Sequence, residues 1–214
     1  FVINGNRKVL VGQQKLRNNR CFVWDQGEGR RNRFQAEVRS IAHGKWRSTS
    51  TIKVNCVQGP PMYIIVLIPW IVRGSSLLDV QLAGVFRALG VDTVEEMVDV
   101  SFPPYHMKAT GDDSRVSLLA RRILCTVLSR QELGVLDRQG VMTWIRTQCS
   151  SSSNPVHVFR NEVFPHVGMD DDPSTLRRKA LFLGVVARRC ATAMAASSIQ
   201  GPERPPCLPV DDRD

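Results

Sequence analysis

The chain has 214 residues, 29 Lys+Arg against 20 Asp+Glu and a net charge of +9, with 43% hydrophobic and 23% charged residues. This is ordinary globular usage for a chain long enough to bury a substantial core, and it excludes a disordered, collagen-like or low-complexity polypeptide. The longest apolar run, Met62 to Val72, is interrupted by Pro69 and falls short of the roughly 20 residues needed to cross a bilayer, so no membrane partner is expected. The chain opens at Phe1 without a basic-then-apolar leader, which suggests a piece of a longer protein.

From the N-terminus, Phe1 to Leu16 alternates apolar and polar residues around Asn4-Gly5, a pair suited to a tight hairpin turn, and predicts strand, turn, strand. Asp25 to Asn32 is a Gly- and Arg-rich loop, after which Gln35 to Val38 is extended. Thr51 to Val57 and Met62 to Pro69 are β-branched runs separated by Gln58-Gly59-Pro60-Pro61, as in an antiparallel pair. The second run is apolar on successive residues, so both of its faces are expected to be covered. Leu77, Leu78, Val80, Leu82, Val85, Phe86 and Leu89 recur at helical spacing up to Gly90, a helix terminator.

Thr93 is an N-cap candidate for a short helix through Val98, with Glu95 and Glu96 in its first turn. Ser101 to Thr110 reads as loop, a helix capped by Asp113 or Ser114 carries Val116 to Leu128, a short helix covers Val141 to Ile145, and Ser150 to Pro155 is a polar loop. The strongest helical pattern runs from Ser174 to Ala196 behind Pro173, with Leu181, Phe182, Val185, Val186 and Met194 expected to face inward; a Pro-rich linker follows Gln200. Antiparallel strands first and helices later make the fold α+β.

The excess charge is concentrated. Residues 1 to 60 hold twelve Lys/Arg and three Asp/Glu, which accounts for the whole +9, while the remainder is balanced. This asymmetry points to a phosphate-bearing or acidic partner on the first quarter, against the plainer alternative of a solvated surface. Phe22, Trp24, Phe34 and Trp46 lie among these basic residues, where they suit base stacking or, at strand spacing, a sheet core. Arg39 and Arg47 stand beside Ser40 and Ser48; each guanidinium can meet a phosphate, but Glu37 offers Arg39 an ion pair, the simpler reading.

No catalytic constellation is legible. His43, His106, His157 and His166 are scattered, and there is no nucleophile elbow, phosphate loop or dinucleotide fingerprint. The cysteines 21, 56, 125, 149, 190 and 207 show no zinc spacing, and Cys125 and Cys190 sit in helical apolar patterns, so reduced, buried thiols are expected. Gly27, Gly29 and Arg30 suit a solvated turn. Asp170, Asp171 and Asp172 suit the positive end of the helix that follows rather than a cation site.

Several strings resemble, in order, the second-largest (β-type) subunit of multisubunit DNA-directed RNA polymerase. They are FVINGNRKVLVGQQ (1–14), AEVRS within 36–54 with Arg47 and Ser50-Thr51 in register, FRALG (86–90), FPHVG (164–168), KALFLG (179–184) with Arg189, and DDRD (211–214). The sequence departs from the family at Arg7 and Gln14, where Glu is usual, and at Gln81, where Pro is usual.

The resemblance is to the eukaryotic nuclear kind, the messenger-synthesising class most of all. It implies that residues 1–20 end the protrusion domain, 21–206 form the lobe and 207–214 begin the return to the protrusion. It implies partnership with the largest subunit and other polymerase subunits, with DNA template and RNA, and location in the nucleus. Mg2+ would act in the complete enzyme, with no cofactor, metal ligand or catalytic residue within this stretch, which would wall the DNA cleft. Arg7, Lys8, Arg39 and Arg47 are the candidate nucleic-acid contacts. The rival expectation is an independent basic nucleic-acid-binding module without enzymatic activity.

Overall fold

A computed structural model describes residues 1–27, 29–42, 44, 48–57, 59–103, 112–150 and 154–200, excluding the side chains of 112–114 and 200. At the N-terminus β1 (Val2–Ile3) pairs with β2 (Asn6–Arg7) in register Val2↔Arg7 and Ile3↔Asn6. Asn4 and Gly5 at φ 52° and 74° supply the two positive-φ positions of a two-residue hairpin turn. The expected continuation to Leu16 is not a strand: no further backbone pairs with it, and Val9, Leu10 and Val11 are 88%, 83% and 78% exposed.

From Cys21 the chain builds a five-stranded antiparallel meander, β3 (Cys21–Asp25), β4 (Phe34–Ser40), β5 (Ser50–Val57), β6 (Tyr63–Arg73) and β7 (Ser76–Gln81), in that spatial order. Alternation sets one face inward: Cys21 and Val23, Phe34, Ala36 and Val38, Ile52, Val54 and Cys56, Ile64 and Val66, and Val80 are all buried. The register joins them into one apolar surface, with Val38↔Ile52, Ala36↔Val54, Val54↔Val66 and Val66↔Val80 directly opposed. On β6, Ile65 is buried on the other face as well, as its continuous apolar run predicts, although Trp70 is exposed.

Residues 77 to 80 overturn the helical expectation. They lie in β7, where Leu78 and Val80 are buried and Leu77 and Asp79 exposed. Apolar residues at 77, 78 and 80 fit a period of two as well as 3.6, and Gly74 (φ 64°) turns the chain back so that Arg73↔Ser76 and Val72↔Leu77 pair with β6. The helix α1 (Leu82–Ala88) starts only afterwards. It ends as expected at Gly90 (φ 84°), whose N–H reaches the Arg87 carbonyl while the Val91 N–H reaches that of Phe86, a Schellman termination.

The remaining helices follow their capping signals. Thr93 Oγ1 accepts from the Glu96 N–H at 3.1 Å to start α2 (Val94–Ser101). Then come α3 (Asp112–Ser129), a single 3-10 turn (Glu132–Gly134), and α4 (Arg138–Gln148), which Asp137 caps. The helix α5 (Pro155–Asn161) lies where only a loop up to Pro155 was expected; its signal was Asn154 as N-cap with proline in the first turn. The last helix, α6 (Pro173–Gln200), matches the strongest pattern, and Asp172 accepts from the Ser174 N–H at its start as the acidic run suggested. The Asp113 or Ser114 cap, most of the 101–110 loop, and the linker after Gln200 lie outside the described residues.

The helix α6 is the centre of the molecule: it lies against β3, β4 and β5 on one side and α2 and α3 on the other. Leu176, Ala180, Leu183, Val186, Ala187, Cys190, Ala191, Met194 and Ala195 are buried in it. Leu181, expected inward, is instead 46% exposed, and Phe182 and Val185 are half-buried. The buried stripe runs through smaller residues because sheet and helices approach α6 closely. By length and composition α6 would suffice to cross a membrane, but its apolar residues are consumed by this packing. Cys190 and Cys56 are buried as expected, whereas Cys125 is exposed on α3.

Two positions on α6 make this packing testable. A Cβ at Gly184 would lie 2.9 Å from the Val100 carbonyl oxygen, a backbone atom that cannot swing away. Gly184→Ala should gain up to ~1 kcal/mol in helix propensity and lose ~1–3 kcal/mol to overpacking, a net lower urea midpoint. Lys179 is fully buried and donates to the Phe159 (3.0 Å) and Arg160 (2.7 Å) carbonyls, closing the C-terminal end of α5. Burial lowers its pKa to about 8 despite opposing help from Asp171 and Asp170. The unfolded lysine then binds more protons than the folded one between about pH 8 and its ordinary value near 10.5, so this group makes stability rise with pH across that window. In Lys179→Met, denaturation midpoints followed from pH 7.5 to 10.5 should lack that rise, and stability at neutral pH should fall because two carbonyls lose their donor.

Candidate functional site

The four candidate contacts are not assembled into one site by the described structure. Arg7 lies in β2 and Lys8 just after it, both exposed, with Lys8 tied by its backbone to Phe1 (N–H to carbonyl 2.7 Å, and the Phe1 amino group to the Lys8 carbonyl 2.9 Å). Residues 1 to 15 bury nothing against the sheet. Arg39 lies on the outer face of β4, and its Nε donates to Glu37 Oε1 at 2.7 Å, the ion pair the sequence suggested. Its side chain keeps 45% exposure, which leaves the outer guanidinium edge accessible. Arg47 and Trp46 lie outside the described residues.

Folding neutralises part of the basic quarter. Arg33 pairs with Asp25 (3.3 Å) and stacks its guanidinium 5.1 Å from the Phe34 ring. Arg31 donates to the Tyr63 hydroxyl at 2.6 Å, a contact that favours its charged form further. Lys53 stands opposite Glu37 in the β4–β5 ladder. The outer face of the sheet is therefore a mosaic of paired charges, with Phe22 and Trp24 half-buried among them, while Phe34 belongs to the core. Asn55 Oδ1, on this same outer face, is the only buried side-chain oxygen or nitrogen without a hydrogen-bond partner among the described residues.

Three of the strings singled out in the sequence converge elsewhere, where the ends of β4 and β5 meet α6 and the loop before it. Ser40 at the end of AEVRS is fully buried, and its hydroxyl lies 2.6 Å from His166 Nδ1 in FPHVG. Opposite it in the ladder, Ser50 donates to the Glu162 carbonyl at 2.7 Å. Phe164, at φ 48°, turns its ring fully into the core 4.8 Å from Phe182 of KALFLG, and His166 packs edge-on 4.7 Å from the same ring. Arg189 donates to the Cys21 carbonyl at 2.9 Å, tying α6 to the first strand of the large sheet. Lys179 and Gly184 complete the set, the first bound to α5 and the second pressed against α2. These motif residues hold the loop 162–168 and α6 against the sheet; their side chains are spent on internal contacts.

No nucleophile, base and orienting group come together, and no cluster of three metal-ligating side chains forms among the described residues. Asp171 pairs with Arg138 (2.9 Å) and Asp172 is occupied by the start of α6. DDRD lies outside the described residues.

No protein-family profile matches the chain. It is 25% identical over 197 residues to DNA-directed RNA polymerase II subunit RPB2 of Encephalitozoon cuniculi, covering 88% of this chain and 16% of that protein. It is likewise 25% identical over 200 residues to DNA-directed RNA polymerase II subunit 2 of Arabidopsis thaliana, with 88% and 16% covered. Against DNA-directed RNA polymerase III subunit RPC2 of Schizosaccharomyces pombe it is 24% identical over 223 residues, covering 100% of this chain and 16% of the relative. The chain thus spans about one-sixth of the length of these relatives. Low but consistent identity runs along nearly all of the chain, which is similar to the second-largest subunits of RNA polymerases II and III.

Proposed function

We propose that this chain is a portion of the second-largest subunit of a DNA-directed RNA polymerase and serves DNA-templated RNA synthesis as part of the wall of the DNA cleft, outside the catalytic centre. The observation that carries the reading is the match to polymerase subunits along 88% to 100% of the chain. The proposed division is residues 1–20 as the end of a protrusion, 21–206 as a lobe and 207–214 as a return, and the break in packing near residue 20 supports the first of these boundaries. Burial begins at Cys21, and the stretch before it finds no core of its own here.

In this reading the partners are the largest subunit, the other polymerase subunits, the DNA template and the RNA, and the compartment is the nucleus. Phosphoryl transfer assisted by Mg2+ belongs to the complete enzyme, and this portion contributes surface and rigidity. Arg7, Lys8, Arg39 and Arg47 are the proposed phosphate contacts: Arg7 and Lys8 by their exposure, and Arg39 by the guanidinium edge left open beside Glu37.

In the complete enzyme, replacing Arg39 and Arg47 with Ala should weaken DNA retention and lower the slope of log K against log salt by about one for each phosphate that is no longer neutralised. The Arg7→Ala, Lys8→Ala pair should act in the same direction. Retention unchanged at every ionic strength in both variants would remove these residues from the DNA path.

A further inference from the structure

The exposed face of α3 and the turn just after it carry three arginines that no other described residue uses. Arg115, Arg122 and Arg130 are exposed, and their guanidinium groups make no hydrogen bond or ion pair among the described residues. Seven residues, about two helical turns, set Arg115 and Arg122 on one side of α3 roughly 10 Å apart, and Arg130 follows directly after the helix ends at Ser129. Arg121, one position from Arg122, is by contrast paired with Asp99 of α2 at 3.0 Å.

These arginines are flanked by two open grooves. One, of 560 Å³, lies between α2 and α3 and is lined by Val98, Leu118 and Cys125 together with Arg121 and Arg122; its two acids, Glu95 and Asp99, stand on the α2 wall. The other, of 240 Å³, is lined by Met62, Leu119, Ile123 and Val127 between Arg122 and Arg130. Arg122 and Thr126 border both grooves and form the ridge between them. Leu118 is 55% exposed at the edge of the larger groove, a large apolar side chain in solvent beside exposed cations.

We propose that this face of α3 is a docking surface for an acidic, amphipathic segment of a partner protein, whose carboxylates meet Arg115, Arg122 and Arg130 while its apolar side chains enter the two grooves. Charge complementarity identifies the occupant: three exposed cations without a partner among the described residues call for anions. The apolar lining of the grooves is aliphatic and sulfur-bearing, which suits Leu, Met or Phe side chains, and no aromatic residue is present on which a base would stack. The face lies on α3, apart from the basic first quarter, and the assignment does not rest on the polymerase reading.

The test is a fluorescence-anisotropy titration of the complete chain with a labelled amphipathic peptide of about sixteen residues, Asp/Glu on one face and Leu/Phe on the other. A second peptide with Gln and Asn replacing every acid, and a duplex oligonucleotide, serve as comparators. The expected result is binding of the acidic peptide that falls with salt, weakens about tenfold in Arg122→Glu and in Arg115→Glu, and weakens in the uncharged Leu118→Ser without changing salt sensitivity. All three positions are exposed on the helix surface, and an unchanged urea midpoint verifies folding of each variant. Equal binding of the neutral peptide, affinity unaltered in both arginine variants, or an oligonucleotide that binds these same arginines more tightly than the peptide would each overturn the proposal.

Discussion

The fold depends on burying α6 on two sides at once. A helix covered by a sheet on one side and by two helices on the other cannot carry large side chains all round, and its buried stripe accordingly includes Ala180, Gly184, Ala187, Ala191 and Ala195. Gly184 marks the closest approach, where the α2 backbone leaves no space for even a methyl group. The same closeness explains why Leu181, a stronger hydrophobe, lies outward. With helix and sheet this near, Cys190 meets Cys56 in the core, and that thiol contact together with burial pushes the Cys190 pKa up, which keeps it an unreactive packing residue.

The second constraint is the loop between α5 and α6. It reverses the chain between two half-buried helices, and together with the last turn of α5 it leaves backbone carbonyls that need protein partners. Ser50 takes the Glu162 carbonyl, Lys179 takes those of Phe159 and Arg160, and Ser40 holds His166. These contacts join residues more than a hundred positions apart in sequence, Ser40 with His166 and Ser50 with Glu162, and they make sheet and helices one unit. Three of the strings singled out in the sequence, AEVRS, FPHVG and KALFLG, meet at this junction, where their side chains serve packing.

Charge follows a different logic from packing. The basic excess of the first sixty residues looks uniform as a string, yet the folded sheet converts part of it into internal pairs, Arg33 with Asp25 and Arg39 with Glu37. Conversely, the balanced remainder conceals exposed arginines on α3 and just after it, because most of its compensating acids lie on other elements. Net charge by segment therefore located one electropositive region and overlooked another.

The sequence by itself determined the α+β order, the β5–β6 pair, the turn at Asn4-Gly5, the caps at Thr93 and Asp172 and the length of α6, because each rests on local chemistry: a backbone angle, an orphan N–H group, or one unbroken period. Likeness of short strings pointed to the polymerase subunits that the chain resembles. Tertiary structure alone decided that residues 77 to 80 join a strand, since their apolar spacing satisfies both periods and only a neighbouring strand selects between them. It alone decided which side of α6 is buried, that Cys125 faces solvent, and that Ser40 binds His166, because each depends on what stands opposite, which no residue encodes about itself. The arginines divide by the same rule: residue type marks each as a cation, but the fold sets Glu37 beside Arg39 and gives Arg115, Arg122 and Arg130 no ion pair among the described residues.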